Sequence, residues 1–461
     1  MNALNHHLLI GPILALLSFF ALTTGGLGYA PAITASITLL TAWWWATEAI
    51  PVPATSLIPF VGFPFAGVLS HKEAASGLGS HIILLMLGGF IMAKALERSG
   101  AHRRFALSLL RTVGRGSKHG NKRLVLAFML SAALLSMWIS NTATCLMLMP
   151  IVLACLQQVN DERLTVPLIL SVAYACSIGG IATLIGTPPN IIFAGIYEKT
   201  FGLEYGFLDW MTIGVPTVLI LLPTAWLWLT RNVSGNSAPD IPKSVPWSKD
   251  EIRVVLVFSL IVLMWVFRSQ PFGGWSQLLN LTGVGDSSIA LFGALLMFVV
   301  RSERGAGLID WESAVDIPWG ILLMFAAGIT IAAAFFASGL AAVIGDVMSI
   351  WVSQLPLYAV VLLICVSVTF FTELNSNLAT TTLVLPILAA TAVSTNISPA
   401  LLMIPATISA SCAFMLPVAT APNAIAYATG RVKVKDMLRE GLRLNMLFAV
   451  MISAICFVLL G

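Results

Sequence analysis

The chain has 461 residues, of which 58% are hydrophobic and only 10% are charged, with a formal net charge of +4. Soluble domains carry about a quarter charged residues, so this composition excludes a soluble globular protein and indicates a polytopic membrane protein. The small basic surplus does not suggest nucleic-acid binding, and the six cysteines all lie in apolar runs, which is typical of small buried residues rather than disulfides or metal ligands.

Apolar segments of membrane-span length follow one another along the chain. The first, 8–27, has no basic residue ahead of it, so residues 1–30 are predicted to be a retained transmembrane helix rather than a signal peptide. At about 20 residues per crossing, the length predicts an all-α fold with about eleven transmembrane helices. The other segments lie at 31–50, 55–69, 81–98, 124–139, 143–156, 164–196, 210–230, 251–267, 286–300, 315–337, 357–371, 379–393, 399–430 and 441–460.

Two of these regions, 124–156 and 357–393, are pairs of apolar runs around a short polar interruption. The interruption is Ser-Asn-Thr at 140–142 and Ser-Asn-Leu at 376–378. Each run is shorter than the roughly 20 residues of a crossing, and irregular backbone at membrane depth needs protein or a water-filled cavity around it. We therefore predict two re-entrant helical hairpins with the polar residues at their tips. One long bent helix that crosses once is the alternative.

A proline motif interrupts the long apolar segment that follows each hairpin. Segment 164–196 contains Gly-Thr-Pro-Pro-Asn at 186–190, and segment 399–430 is interrupted at 417–423, where Thr-Ala-Pro-Asn closes the interruption. Proline in a helix interior removes a hydrogen bond and clashes with the preceding turn. Both segments are therefore predicted to be broken transmembrane helices.

The basic residues indicate an orientation. With a cytoplasmic N-terminus, two re-entrant hairpins and two broken crossings, every Lys and Arg except Lys72, Lys199 and Arg268 falls on the cytoplasmic side. Cytoplasmic loops carry this excess, and a full crossing by either hairpin would spoil it. We expect a multi-pass plasma-membrane protein, in a bacterial inner membrane, with an external C-terminus. The basic stretch from Arg98 to Arg123 is typical of an amphipathic surface helix that contacts membrane lipid.

The second half of the chain repeats the first. Ile-Leu-Leu-Met at 83–86 recurs at 321–324, Ser-Gly at 99–100 recurs at 338–339, and the tips and proline motifs recur as well, all at offsets between 233 and 239 residues. Because each copy makes an odd number of crossings, the two copies are expected to be inverted. We predict a first repeat at 31–230, a cytoplasmic linker at 231–250 and a second repeat at 251–461. Inverted repeats with discontinuous helices are a transporter architecture, with the binding site where the breaks meet.

The chemistry of the four breaks predicts a joint cation and anion site. A helix start attracts an anion, and the carbonyls freed at a helix end suit a cation. No Lys or Arg lies at any break, so an anion would be held by neutral donors such as the side chains of Asn141, Thr142 and Asn377, with bound cations balancing its charge. The expected Na+ cages are Ser136, Ser140, Asn141 and Gly186 in the first repeat, and Thr372, Asn375, Ser376, Asn377 and Ala419 in the second.

Other functional classes fit less well. A lone Ser-Asn-Thr is usually packing between helices, and only its repetition with a proline motif favours a site. The chain has no HExxH, no GxSxG and no paired catalytic carboxylates, so we predict no enzymatic activity and no cofactor apart from Na+ as coupling ion. The sequence contains no selectivity-filter signature, so a channel is disfavoured. Of the carboxylates in apolar runs, Glu48 fits the cytoplasmic interface, whereas Glu373 lies near enough to the second cage to tune it or to carry a proton.

The tips and proline motifs together resemble the divalent anion/sodium symporter family, the INDY-type dicarboxylate transporters, from about residue 30 onward. The resemblance implies a homodimer, an elevator mechanism, and Na+-coupled uptake of succinate, malate or fumarate. Leu378, where many bacterial members have threonine, and Ala421, in place of a proline, put the identity of the anion in question. A dicarboxylate exchanger, or a carrier for citrate or sulfate, is the alternative. The implied substrate contacts are Ser140, Asn141, Thr142, Thr187, Pro189, Ser376, Asn377, Leu378, Thr420 and Pro422.

Overall fold

The computed structural model describes residues 3–114, 120–159, 162–235, 246–269, 273–352 and 354–461. Over these residues the regular structure is helical, apart from an isolated bridge between Arg301 and Gly307. Eight helices are long and apolar enough to cross a membrane, and four shorter apolar helices accompany them. The predicted all-helical membrane fold is therefore confirmed. Because the eight helices include legs of both expected hairpins, their number is not the number of membrane crossings.

The first half of the chain contains the expected N-terminal helix, the first hairpin and the first broken helix. Its helices are α1 (Ala3–Thr24), α2 (Tyr29–Thr47), α3 (Val52–Thr55), α4 (Ile58–Phe65), α5 (His71–Ala75), α6 (His81–Ser99), α7 (Ala101–Gly114), α8 (Gly120–Ser136), α9 (Asn141–Gln158), α10 (Glu162–Gly180), α11 (Pro188–Phe201) and α12 (Phe207–Leu229).

The second half begins after the predicted linker 231–250, of which residues 236–245 lie outside the described part. Its helices are α13 (Lys249–Val266), α14 (Gly274–Leu278), α15 (Asp286–Val299), α16 (Trp311–Val315), α17 (Trp319–Ala337), α18 (Leu340–Val352), α19 (Leu357–Leu374), α20 (Asn377–Thr395), α21 (Pro399–Ala410), α22 (Ala421–Ala428) and α23 (Val434–Leu460).

Corresponding helices of the two halves run in opposite directions. Lys94, near the end of α6, binds Asp316, just before α17, with 2.7 Å between Nζ and Oδ2. At the other end, the Thr330 hydroxyl of α17 donates to the carbonyl of Ala74, just before α6, at 3.1 Å. The end of α6 thus lies beside the start of α17, and the middle of α17 lies beside the helix before α6, an arrangement that is compatible with the predicted inverted repeats.

Both helix breaks lie earlier in the chain than predicted. They occupy residues 181–187 and 411–420, rather than 186–190 and 417–423. The proline motifs open the following helix instead of forming the gap, because Pro188 and Pro189 occupy the first turn of α11 and Pro422 that of α22. A residue in the first helical turn has no intrahelical acceptor for its N–H, so proline is tolerated there.

The hairpin legs are longer than predicted. α8 and α9 have 17 and 18 residues, and α19 and α20 have 18 and 19, because the helices continue through polar residues beyond the apolar runs. The premise that each leg is too short to cross is therefore wrong for most of them. Placed end to end, however, two legs would extend about 50 Å at 1.5 Å per residue, well beyond a hydrocarbon core of about 30 Å. This length favours two folded-back legs over one bent crossing.

The ion pairs at the helix ends fall into two groups, which define two opposite faces of the molecule. The Lys94 face holds Lys94–Asp316, Arg98–Asp310, Arg104–Glu251 and Arg231–Glu440, and the His81 face holds His81–Glu198 and Arg268 with Glu204 and Asp286.

No ion pair within the described ranges joins one face to the other. Hydrogen bonds from Ser313 and the pairing with Arg98 lower the pKa of Asp310 to about 2, so this pair is charged at neutral pH. The grouping separates Arg268 from the basic residues of the Lys94 face, as the charge pattern predicted. That the Lys94 face is cytoplasmic stays a prediction.

Candidate functional site

The four interruptions of the helices border one cavity of about 400 Å³. All ten expected substrate contacts line it, and so do Gly186 and Ala419 of the expected cages. The opposite wall comes from α6 and from the start of α17. Lys94, Glu97 and Asp316 also line the cavity, whereas neither His81 nor Glu198 does. The cavity therefore extends towards the Lys94 face, and the roles of its lining residues stay predictions.

Four helix starts meet at this cavity. Ser140 and Ser376 precede α9 and α20, and Thr187 and Thr420 precede α11 and α22. A helix N-terminus carries a partial positive charge and free N–H groups, which favours anions. Ser140 makes no side-chain cap, so the first N–H groups of α9 have no acceptor among the described residues. The neutral groups at these helix starts can therefore stabilise negative charge.

The first expected cage brings several oxygen atoms close together. The Ser136 hydroxyl donates to the side-chain oxygen of Asn141 at 2.5 Å and also lies 2.8 Å from the carbonyl oxygen of Cys176. Ser136 does not line the cavity and reaches the site through Asn141. These contacts join the tip of the first hairpin to the end of α10.

Two glycines let the backbone approach closely in the first cage. A Cβ on Gly186 would lie 2.5 Å from the carbonyl oxygen of Gly180 and 3.0 Å from that of Met137. A Cβ on Gly180 would lie 2.9 Å from Oδ1 of Asn141 and 3.1 Å from the Gly186 carbonyl oxygen. Oxygens of Met137, Asn141, Gly180 and Gly186 therefore cluster here, and the carbonyls of Met137 and Gly180 were not predicted from the sequence.

The second expected cage repeats the hydrogen bonds of the first. The Thr372 hydroxyl lies 2.9 Å from Oδ1 of Asn377 and 3.1 Å from the carbonyl oxygen of Ala410. The position of Thr372 thus matches that of Ser136. Asn375 neither lines the cavity nor makes a hydrogen bond with another described residue, so the structure does not bring it to the cage.

Each break is also tied by the asparagine of its proline motif. The Asn190 amide donates to the carbonyls of Gly180 and Thr183, at 3.1 and 2.8 Å. The Asn423 amide donates to those of Ala413 and Leu416, at 2.9 and 3.1 Å. Both asparagines are fully buried, and the spacing is identical in the two repeats. Their recurrence in the sequence was visible, but their role as ties across the break was not.

Glu373 is the main asymmetry between the two breaks. Its buried carboxylate accepts hydrogen bonds from the backbone N–H groups of Phe414, Met415 and Leu416 and from the Asn445 amide, at 2.6 to 3.0 Å. All four partners are donors, which matches an ionised carboxylate. Glu373 therefore holds the second break beside the tip of the second hairpin, and the first hairpin has Met137 at the equivalent position.

Contacts between the repeats join the hairpins and broken helices into one body. The Tyr174 hydroxyl of α10 donates to the Phe414 carbonyl at 2.7 Å. The Cys145 thiol of α9 lies 3.7 Å from the carbonyl oxygen of Pro422. Residues from one repeat thus support the break of the other. The cavity lies between this body and the α6–α17 wall.

The charged residues at the cavity mouth were not predicted. Lys94 is the one basic side chain among the described residues that line the cavity, and Glu97 and Asp316 lie beside it. The sequence did place Lys94 and Glu97 inside an apolar segment, and intramembrane ionisable residues are functional candidates. That signal would have identified them.

Comparison with known proteins shows a transporter family. Residues 42–401 match the family model described as citrate transporter. The sodium-dependent dicarboxylate transporter SdcS of Staphylococcus saprophyticus is 38% identical, covering 98% of this chain and 90% of that protein. The SdcS protein of Staphylococcus aureus strain USA300 is 36% identical, with the same coverage.

A solved structure shows a related fold. The YdaH transporter of Alcanivorax borkumensis, described as having an unusual topology, superposes with a TM-score of 0.60. The match covers 92% of this chain and 98% of that one, at 12% sequence identity. At this identity the likeness concerns the fold alone.

Proposed function

This chain belongs to the citrate-transporter family, and on that premise we propose that it imports C4-dicarboxylates such as succinate, malate and fumarate together with Na+. The observation that carries the proposal is the meeting of four helix starts and two oxygen cages at one cavity. Two relatives of nearly full-length similarity are named sodium-dependent dicarboxylate transporters, which supports the same substrate class.

The distribution of charge explains why the anion needs sodium. None of the four breaks contributes a basic side chain, and Lys94 lies at the mouth rather than at the tips. A dianion at the tips therefore meets only dipoles and neutral donors, which balance its charge incompletely. Na+ in the two cages would supply the missing positive charge. Coupling follows because the anion binds well only when the cations are present.

The cage atoms suit a hard monovalent cation. In broken-helix transporters, the carbonyl oxygens of unwound backbone coordinate Na+. Side-chain hydroxyl and amide oxygens are hard ligands of the same kind. Ser136 and Asn141 in the first cage, and Thr372 and Asn377 in the second, present such oxygens at hydrogen-bond distance from one another. Na+ binding would replace these hydrogen bonds with ion contacts.

The movement that we propose is an elevator. The body of hairpins and broken helices, α8–α12 with α19–α23, would slide past a fixed scaffold of α1–α6 with α13–α17. The position of the cavity between these two groups supports this division. The homodimer and the contact with membrane lipid are carried over from the family resemblance.

The Lys94 face is proposed to be cytoplasmic, with the N-terminus on that side and the C-terminus outside. A cysteine introduced at positions 393–396, at the end of α20, tests this orientation. Val393 is exposed, so a membrane-impermeant thiol reagent should modify the introduced cysteine from outside intact cells. Modification only after the cytoplasmic side is opened would overturn the orientation of the second hairpin.

Citrate is the second candidate substrate because the matching family model is described as citrate transporter. We assign transport and no enzymatic activity to the chain. Exchange of one dicarboxylate for another without net Na+ movement is the alternative mode.

The test is uptake of radiolabelled succinate by proteoliposomes, with Na+, Li+ or K+ outside. Saturable uptake that requires Na+, needs no internal substrate and is inhibited by malate and fumarate is expected. Stronger inhibition by citrate than by malate would favour a citrate carrier. Uptake that needs internal dicarboxylate but no Na+ gradient would contradict symport, and absence of any saturable uptake would contradict the proposed function.

A further inference from the structure

We propose that Lys94 forms a second, weaker carboxylate-binding station at the mouth of the cavity, which the dicarboxylate occupies on its way between the hairpin tips and the Lys94 face. The inference rests on the proposed function, because it concerns the route of the same anion. It assigns to a scaffold helix a contact that the tips and breaks do not provide.

Lys94 lies between the interior of the cavity and its opening. It lies in the last third of α6 and borders the same cavity as Asn141 and Asn377, yet it reaches the opening beside Asp316. Its side chain is about one quarter exposed, whereas that of Asp316 is mostly exposed. An anion that leaves the tips towards this face therefore comes within reach of the Lys94 ammonium group.

Lys94 has hydrogen-bond donors left for a ligand. A lysine ammonium group has three donors, and Lys94 makes one described side-chain hydrogen bond, to Asp316 at 2.7 Å. Two donors remain for a carboxylate without loss of the ion pair. The hydrogen bond from Lys94 lowers the pKa of Asp316, so the pair is ionised at neutral pH.

The surrounding charges explain why the station is weak. Glu97 and Asp316 line the mouth beside Lys94, so the mouth as a whole bears more negative than positive charge. A carboxylate would gain one charged hydrogen bond there while two carboxylates repel it. A short-lived contact of this kind favours passage over retention. It also predicts opposite effects for removal of the positive charge and removal of the neighbouring negative charge.

Sidedness follows from the fold. Lys94 lies on the wall that faces the hairpins and broken helices, not on the body that carries the tips. It should therefore affect substrate that enters or leaves through the Lys94 face, with little effect on substrate presented at the His81 face. A general defect in folding would affect both faces equally.

The experiment measures the half-saturating succinate concentration on each face, in right-side-out and everted membrane vesicles containing the full chain. Lys94→Gln should raise this concentration on the Lys94 face by about tenfold, as expected for the loss of one charge-assisted hydrogen bond, and leave the other face unchanged. Asp316→Asn should lower it on the Lys94 face, because the ammonium group loses its competing carboxylate. Lys94→Arg keeps the positive charge, so its half-saturating concentration on the Lys94 face should stay close to that of the unaltered chain.

Arg98→Gln is the matched control. Arg98 lies one turn further along α6 and pairs with Asp310, but it does not line the cavity. Its loss should therefore leave the half-saturating succinate concentration unchanged on both faces. Uptake by the unaltered chain is measured first, and its absence would contradict the proposed function itself. With uptake intact, a Lys94→Gln effect that is absent or equal on both faces, or an Asp316→Asn effect of the same sign, would overturn this inference alone.

Discussion

Equivalent residues of the two repeats make the same local contacts with different side chains. Ser136 and Thr372 each bridge the tip asparagine and a carbonyl of the neighbouring broken helix. A hydroxyl at this position is therefore what the geometry requires, and serine and threonine both supply it. Where the side chains differ in chemistry rather than size, the two halves of the cavity should differ in function.

Leu378 is such a difference, because the first repeat has Thr142 at the matching tip position and both residues line the cavity. Leu378→Thr adds a hydroxyl that faces the substrate. We expect the relative inhibition of succinate uptake by malate and fumarate to change about threefold or more, with a smaller change in maximal rate, since one hydrogen bond contributes about 1 kcal/mol.

Competition experiments with labelled succinate measure this change. Leu383→Thr, on the same helix but outside the cavity, is the control and should leave the inhibition profile as it is. A Leu378→Thr protein with an unaltered profile would remove this tip residue from the substrate site.

Gly186 offers a sharper test of the first cage. A Cβ at Gly186 would lie 2.5 Å from the Gly180 carbonyl oxygen, closer than real Cβ contacts allow, so Gly186→Ala must displace backbone that forms the cage. We expect the Na+ concentration for half-maximal uptake to rise by about tenfold or more, or transport to be lost. The measurement is uptake as a function of Na+ concentration.

Ala419→Gly is the paired control at the equivalent position of the second repeat, where alanine is already accommodated. It should change Na+ dependence much less than Gly186→Ala does. If Gly186→Ala keeps the Na+ dependence of the unaltered chain, the first cage does not bind Na+ where we place it.

At the level of single residues, the sequence predicted the polar tips and proline motifs of the cavity lining but not the wall from α6 and the start of α17. Repetition of the tips and proline motifs in register was enough to collect ten residues that line one cavity. The backbone oxygens of Met137 and Gly180 were not predictable, because carbonyl positions depend on how α8 and α10 cross. The contact between Lys94 and Asp316 was not predicted because it joins residues that are far apart in the chain.

At the level of elements, the breaks differ more than the tips do. In the first break, the N–H groups of Ile181 and Ala182 bond to the preceding turn. In the second, three consecutive N–H groups turn to Glu373 instead. A buried carboxylate therefore helps to hold the second break, whereas the equivalent N–H groups of the first break bond to its own backbone. The sequence placed Glu373 near the second cage but could not distinguish a cation-tuning or proton-carrying group from this structural tie.

The positions of the breaks were mispredicted for a related reason. Proline was assumed to interrupt the helices, whereas Pro188 and Pro422 start new ones, and the real gaps begin at Ile181 and Ser411, several residues before any proline. The residues at which α10 and α21 end are small or apolar, so the ends of these helices leave little signal in an apolar sequence. The interruptions of the helices at the polar tips were predictable, but the lengths of the flanking helices were not, since the helices extend past the apolar runs.

The elements also identify contacts that an elevator movement must break. On the His81 face, His81 of α6 pairs with Glu198 of α11 at 3.0 Å, which joins the proposed scaffold to the proposed moving body. Cysteines in place of these two residues, linked by a short reducible cross-linker, should stop succinate uptake. Reduction of the cross-link should restore it. The six native cysteines are buried, so the reagent should select the introduced pair.

A cross-link within the moving body is the control. Arg231 and Glu440 lie 2.8 Å apart and belong to α12 and α23 or their ends, so a link between cysteines at these positions should leave uptake at the level of the uncross-linked pair. Continued uptake with a complete 81–198 cross-link would contradict the sliding of α11 past α6.

At the level of the whole molecule, the two halves of the chain meet around a cavity that extends towards the Lys94 face. In the proposed function, the tips supply helix starts for an anion and the cages supply oxygens for cations, while an ion pair connects helix ends on the opposite face. Membrane class and helical fold were predictable from composition and periodicity. The face towards which the cavity extends was not, because the proposed movement requires the same sequence to adopt both states.

In the proposed mechanism, one dicarboxylate and the cations of the two cages move together. Simultaneous uptake of radioactive sodium and radiolabelled succinate into the same proteoliposomes measures this most directly. We expect at least two Na+ to enter per succinate, one for each cage. Succinate uptake that brings in no sodium, or only one Na+ per succinate, would contradict the account.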